Sequence, residues 1–187
     1  MAKKKINPNK IPVCASDYDL EQMKLDATRD MSLQIWAVFL LALSGFSEMT
    51  SDSLFELYDK VSNATTTIAD FDSTQKCLLD IRKLAGVTME LKRVKMDIHT
   101  QGDLDRLQNR LRKNSQAASF AIILDPLITQ ELMPEEDTIA LIRKVVSLNE
   151  EIEEGRITVE DIQEMLREEY HLELGRTENL AVLSRQE

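Results

Sequence analysis

Carboxylates are the chemically active groups that this sequence supplies in greatest number. Residues 135–187 contain fifteen acidic and six basic residues, and so carry −9 of the chain's formal net charge of −10. Carboxylates at this density could hold a hard metal ion, transfer protons, or present negative potential to a basic partner. Their spacing helps to separate these uses.

The acidic residues recur at helical spacing. Glu160, Glu164 and Glu168 stand four residues apart, which aligns them on one side of a helix. Like charges at this spacing cost a helix a few tenths of a kcal/mol per pair, so such a stripe suggests a use, although a solvated helix face is the plain alternative. The acidic residues predicted to bind a partner are Glu135, Glu136, Asp137, Glu150, Glu151, Glu153, Glu154, Glu160, Glu164 and Glu168.

The residues of a catalytic centre are not visible in the sequence. A nucleophile with its base, a cluster of metal ligands and a glycine-rich phosphate loop are all missing. His99 and His171 stand far apart and without companions, and Cys14 and Cys77 lack metal-ligand spacing. We therefore predict a protein that is not an enzyme and has no cofactor or metal. An enzyme with a carboxylate-only metal site is kept as an alternative.

A basic stripe lies upstream of the acidic region. Arg106, Arg110 and Lys113 follow one another at steps of four and three, and Lys92 and Arg93 precede them. The stripe could pair with the acidic region, within the chain or between protomers, or could contact nucleic acid. Aromatic residues are not interleaved with it, so we do not expect sequence-specific DNA binding.

The elements that position these charges form an internal repeat with an offset of 84 residues. Ser16-x-x-Asp19-Leu20 recurs as Thr100-x-x-Asp103-Leu104, and the apolar residues 36–40 recur as 120–124. Five glycines, four prolines and helical apolar spacing indicate a mainly all-α fold of two related helical subdomains. The predicted segments are a basic flexible arm (1–15), a first helical repeat (16–91), a linker (92–99), a second, acidic helical repeat (100–174) and a frayed tail (175–187).

Two further local patterns lead to expectations. Residues 87–91 alternate apolar and polar side chains, which predicts a short strand, and pairing with residues 171–174 would give a small two-stranded ribbon joining the repeats. Pro126 is expected to end the helix that Thr100 begins. Lys3, Lys4 and Lys5 are not followed by an apolar stretch, and the longest apolar run has nine residues. We therefore expect a cytoplasmic protein with no secretion signal and no membrane partner.

The second repeat resembles a group of short, uncharacterised proteins from prophages and integrated elements of gut Firmicutes. The resemblance lies in residues 100–106, 118–124, 149–161 and 166–170, and residues 11–13 resemble the start of those proteins. Members of the group are single units, and they have a glycine where this chain has His171. The group has no assigned activity, so the resemblance implies only a protein of a mobile element.

The acidic face, taken with the resemblance to mobile-element proteins, makes this chain similar in general character to acidic anti-CRISPR proteins. The implied function is inhibition of a host defence nuclease, namely a type II CRISPR-Cas effector bound to its guide RNA. The acidic helices would occupy the groove in which the effector reads the motif flanking its DNA target. The alternative is a non-enzymatic structural or adaptor protein of the prophage that self-associates, for example as a homodimer.

Overall fold

Six helices and one two-stranded ribbon make up the residues that the computed structural model describes, which are 16–46, 49–64, 71–94, 98–176 and 181–186. The helices are α1 (Asp17–Ser44), α2 (Ser51–Ala64), α3 (Phe71–Ala85), α4 (Gln101–Thr129), α5 (Glu135–Glu153) and α6 (Val159–Tyr170). Strands β1 (Leu172–Arg176) and β2 (Ala181–Arg185) pair antiparallel. The prediction of a mainly all-α fold with a small ribbon is confirmed. The predicted arm lies outside the described residues.

The helices begin where the repeat places them. Helices α1 and α4 start 84 residues apart, and so do α2 and α5. The Ser16 and Thr100 hydroxyls accept hydrogen bonds from the backbone N–H of Asp19 and Asp103 at 3.2 and 3.3 Å. Each aspartate carboxylate in turn accepts from the backbone N–H of its cap residue, which completes a capping box.

The two repeats are interleaved. Helix α1 packs mainly against α4, α5 and α6, whereas α4 packs against α1, α2 and α3. The first helix of each repeat is therefore covered chiefly by helices of the other repeat. Leu20 packs with Leu107 and Leu111 near the start of the two long helices, and Thr28 lies 3.3 Å from Ser115 further along. Helices α1 and α4 therefore run side by side in the same direction.

One hydrophobic core joins both repeats. Phe39 and Leu40 of α1 and Phe120 and Leu124 of α4 are fully buried within it. A polar contact crosses the core between repeats, where the buried Gln34 side chain donates to Asn149 Oδ1 at 2.8 Å. Because each partner satisfies the other, this contact fixes the register of α1 on α5 without leaving a buried amide unpaired.

The predicted ribbon between the repeats is wrong. β1 pairs with β2, with Leu174 opposite Leu183, while residues 87–91 belong to no strand in the described chain. The expectation of a frayed tail is therefore also wrong for residues 175–176 and 181–185. Ala181 and Leu183 are buried at two-residue spacing, and this burial offsets the entropy lost by ordering the segment.

Pro126 does not end α4, which continues to Thr129. Proline removes one backbone donor, but this cost falls within the final turns of the helix, and Leu127 is still held in the core. The backbone N–H of Gln130 donates to Pro126 O at 3.0 Å, which closes the last turn.

Candidate protein-binding surface

The C-terminal turns of α5, the α5–α6 turn and α6 present most of the predicted acidic residues. Gly155 has a φ of 71°, a left-handed conformation that lets the chain leave α5 without steric strain. Thr158 then begins α6 by accepting a hydrogen bond from the backbone N–H of Asp161 at 3.1 Å. The hydrogen bonds from Thr158 hold the pKa of Asp161 below its ordinary value. Asp161 is therefore a capping residue.

The Glu160, Glu164 and Glu168 side chains are all exposed on α6. The opposite face of the helix is fixed to the core by Ile162 and Leu166, which are buried. Among the described residues none of the three glutamates forms an ion pair. The predicted stripe therefore exists as an exposed row of charge, and Glu160 also borders a cleft that contains Arg112 and Arg176.

Residues Glu135, Glu136 and Asp137 occupy the first turn of α5. Fifteen positions separate Glu135 from Glu150, which corresponds to about 22 Å along the helix axis. Negative charge in a first helical turn also interacts favourably with the helix dipole. These three residues thus stabilise the start of α5. They lie too far along the helix from residues 150–154 to form one acidic surface with them on α5.

Two of the predicted acidic residues already have partners. Glu153 Oε1 accepts hydrogen bonds from Gln116 Nε2 at 2.7 Å and Asn149 Nδ2 at 3.4 Å. Glu154 pairs with Arg156 at 2.7 Å. Glu150 and Glu151 form no ion pair in the described part of the chain, and Glu150 borders the same groove as Glu153.

The basic candidates are dispersed among local contacts. Arg106 pairs with Asp103 at 3.3 Å, Lys92 pairs with Glu90, and the Arg93 guanidinium lies 5.4 Å from the centre of the Phe71 ring. Lys113 borders a groove that also contains Glu150, while Arg110 is exposed. Two of these five basic residues are therefore offset by neighbouring carboxylates within the chain, namely Lys92 and Arg106.

Groups typical of catalysis are held in structural roles. The buried Cys77 thiol lies 3.5 Å from Ala121 O, and burial, with Asp125 nearby, raises its pKa far above the ordinary value. His171 is the left-handed C-cap of α6, with a φ of 53°. Within the described residues no group of three or more His, Cys, Asp or Glu residues could hold a metal ion.

Two open grooves were not predicted from the sequence. One, of about 340 Å³, runs between residues 88–90, α4 and α5. The other, of about 680 Å³, lies between the ends of α3 and α4 and the start of α5, and includes Leu132 and Met133. The strand-like alternation of residues 87–91 was the one signal for the first groove. Both arise from tertiary packing, which local patterns do not determine.

This chain was compared with known protein families, curated proteins and solved structures. No protein-family model, curated protein or solved structure matches this chain. No helix in the described ranges combines the length and apolarity that crossing a membrane requires.

Proposed function

We propose that this protein inhibits a host defence nuclease, a type II CRISPR-Cas effector bound to guide RNA, by placing an acidic helical surface in the effector's DNA-binding groove. The observation that carries the proposal is the exposed row of Glu160, Glu164 and Glu168 without ion-pair partners in the described chain. A row of unopposed negative charge is complementary to the Lys and Arg side chains that line such a groove.

The geometry of α6 supports this mode of binding. Successive glutamates of the row are separated by four residues, or about 6 Å along the axis. Phosphates follow one another at 3.4 Å along the axis of a DNA strand, so the glutamates repeat at roughly twice the phosphate spacing. Glu150 and Glu151 extend the charge beyond one helix, which would let the surface meet several basic residues at once.

A cleavage assay tests the proposal directly. Purified effector, guide RNA and target DNA are mixed with increasing amounts of the protein, and cleavage is followed on a gel. We expect cutting to fall as the protein approaches and exceeds the effector concentration, and to recover at high salt because the contact is electrostatic. Undiminished cutting at a large molar excess would overturn the proposal. Self-association without affinity for the effector–guide complex would favour the prophage structural or adaptor role instead.

A further inference from the structure

Residues 88–92 follow α3 as β1 follows α6. A left-handed residue comes directly after each helix, Gly86 and His171. Counting from these residues places Thr88 opposite Glu173 and Met89 opposite Leu174, one position away from the 84-residue offset, and this register matches exposed with exposed and inward-facing with inward-facing side chains. Both segments are tied to the long helices at equivalent places, since Arg176 pairs with Asp30 of α1 at 2.8 Å and Lys92 is bonded to Asn114 of α4. Asp30 and Asn114 are themselves 84 residues apart. The two segments are therefore structural counterparts.

The first-repeat segment is strand-like but has no strand beside it. Val87, Met89 and Leu91 are half-buried against the core, whereas Thr88 and Glu90 are exposed, which is the alternation of an extended chain on an apolar surface. In the second repeat β1 is completed by β2. No described residue takes the place of β2 next to residues 88–92.

The backbone of this segment directs hydrogen-bonding groups toward α4. Lys92 N–H donates to Asn114 Oδ1 at 3.1 Å, and Lys92 O accepts from Asn114 Nδ2 at 2.6 Å, so both groups of Lys92 face α4. In an extended chain the backbone groups of residues two apart point the same way. Those of Glu90 and Thr88 therefore face α4 as well, and within the described chain they have no hydrogen-bond partner.

An open groove of about 340 Å³ lies on that side of the segment. Its floor includes Ala117 and Phe120 of α4 and Val146 of α5. These two helices correspond to α1 and α2, which are the helices that β2 contacts in the other repeat, where Tyr58 Oη donates to Ala181 O at 3.1 Å. The groove thus lies on the flank that β2 covers in the other repeat.

The charge at the rim of the groove selects the occupant. Glu90, Glu150 and Glu153 border the groove together with one basic residue, Lys113. These residues have a net charge of −2, and counting Lys92, which pairs with Glu90, leaves −1. A negative rim favours basic residues in whatever binds there. The apolar floor favours apolar side chains at alternate positions.

We propose that residues 88–92 and this groove bind an extended, alternately apolar and basic segment of a partner protein, which adds as a strand in the place that β2 takes in the other repeat. Main-chain hydrogen bonds to Thr88 and Glu90 provide affinity, and the floor and rim provide selectivity. The inference goes beyond the proposed function, because the site needs neither a nuclease partner nor the α6 glutamates.

Hydrogen exchange of the intact protein, followed residue by residue by NMR, provides the test. The probe is a seven-residue peptide of alternating lysine and valine, and the control is the same design with glutamate in place of lysine. At saturation we expect amide exchange at Thr88 and Glu90 to slow at least about tenfold while Met89 and Leu91 change little. The glutamate peptide should bind at least about tenfold more weakly. Absence of lysine–valine binding at millimolar peptide, or protection without the two-residue period, would overturn the proposal.

A matched pair of substitutions tests the backbone role. Thr88→Pro removes the N–H that faces the groove, in an extended segment where proline is tolerated and no described hydrogen bond is lost. Thr88→Ala keeps that N–H. We expect the proline variant to bind the lysine–valine peptide at least about tenfold more weakly and the alanine variant to bind within about twofold of the parent. Equal binding by both variants would overturn the proposal, as would protection of Thr88 and Glu90 that rises with protein concentration alone, which would assign the groove to a second copy.

Discussion

Helices α3 and α6 close the two repeats, and they differ chiefly in their charge. Both present an apolar face to the core, through Leu78 and Ile81 in α3 and Ile162 and Leu166 in α6. Helix α3 has two acids and three bases, a net of +1, whereas α6 has five acids and one base, a net of −4. The apolar faces of α3 and α6 are thus alike, whereas the charge on their exposed faces differs in sign.

The segments that follow these helices differ in a second way. After α6 the chain makes a two-stranded ribbon, whereas after α3 it makes one unpaired extended segment. One repeat is therefore complete as a small sheet and the other has an open edge. The second repeat is a candidate interface because of the negative charge on α6. The first repeat is a candidate interface because the backbone of residues 88–92 is left unpaired in the described chain.

The largest effect is expected in the core, where the two repeats should behave alike. Leu40→Ala and Leu124→Ala each remove a fully buried side chain at matching positions of α1 and α4. Each should lower the free energy of unfolding by about 2–5 kcal/mol, as measured by urea denaturation. Leu25→Ala, at a side chain 46 % exposed, should have a much smaller effect. Two separate unfolding transitions would contradict the shared core.

Charge reversal on α6 is expected to have the next largest effect. Combining Glu160→Lys, Glu164→Lys and Glu168→Lys should raise the concentration needed for half-inhibition of the effector at least about tenfold, which corresponds to about 1.4 kcal/mol. A matched control with the same charge change is Glu56→Lys, Asp59→Lys and Asp105→Lys, all at exposed positions outside α5 and α6. Equal loss in the two variants would mean that net charge, and not the α6 surface, causes inhibition.

A smaller effect is expected where the ribbon is attached. Tyr58→Phe removes the hydroxyl that donates to Ala181 O at 3.1 Å in a buried site. The free energy of unfolding should fall by about 1 kcal/mol, and amide exchange in β2 should accelerate. Tyr170→Phe is the control, because its hydroxyl lies 3.4 Å from Ser44 O in a half-buried site and should matter less. A larger loss for Tyr170→Phe would reverse this assignment.

The smallest effect concerns the three capping boxes, which both repeats share. Hydrogen bonds from Ser16, Thr100 and Thr158 lower the pKa values of Asp19, Asp103 and Asp161 below the ordinary value of an aspartate. A folded-state pKa below the unfolded value means that the unfolded chain binds more protons in acid, so this stabilisation is present above about pH 4 and is lost as the pH falls further.

Urea midpoints measured between pH 2 and 5 check this expectation. The variant with Asp19→Asn, Asp103→Asn and Asp161→Asn should show a shallower decline than the parent. A variant with Glu56→Gln and Asp59→Asn, at exposed carboxylates outside the caps, is the control for loss of negative charge alone. An unchanged slope in the capping variant would assign acid sensitivity to other groups.

The local parts of the fold were predictable from sequence. Capping residues and apolar spacing located α1 and the start of α4, because these features act within a few residues. Alternation at residues 87–91 predicted a strand, and this was wrong for the described chain, because strand pairing depends on which segments tertiary packing brings together. Residues 181–185 begin with three consecutive apolar residues and show no such alternation in sequence, so the sequence alone did not distinguish them from a tail. Interleaving was not predictable, because an apolar face does not specify which helix covers it.

The candidate surface was predictable in part for the same reason. Four-residue spacing placed Glu160, Glu164 and Glu168 on one face, and this face is exposed. The engagement of Glu153 by Gln116 could not be inferred, since the two residues are 37 positions apart and meet only because α4 packs beside α5. The distribution of the basic residues among local partners likewise depends on side-chain placement.

Interleaving also has a consequence for synthesis on the ribosome. Helix α1 emerges early, yet much of the surface that covers Phe39 and its neighbours belongs to α5 and α6, more than ninety residues downstream. At translation rates of about 5–20 residues per second, the apolar face of α1 waits roughly 5–20 seconds for its partners. During this period the apolar face of α1 is exposed to chaperones that hold nascent chains, and synonymous codons between the repeats would tune the length of the period.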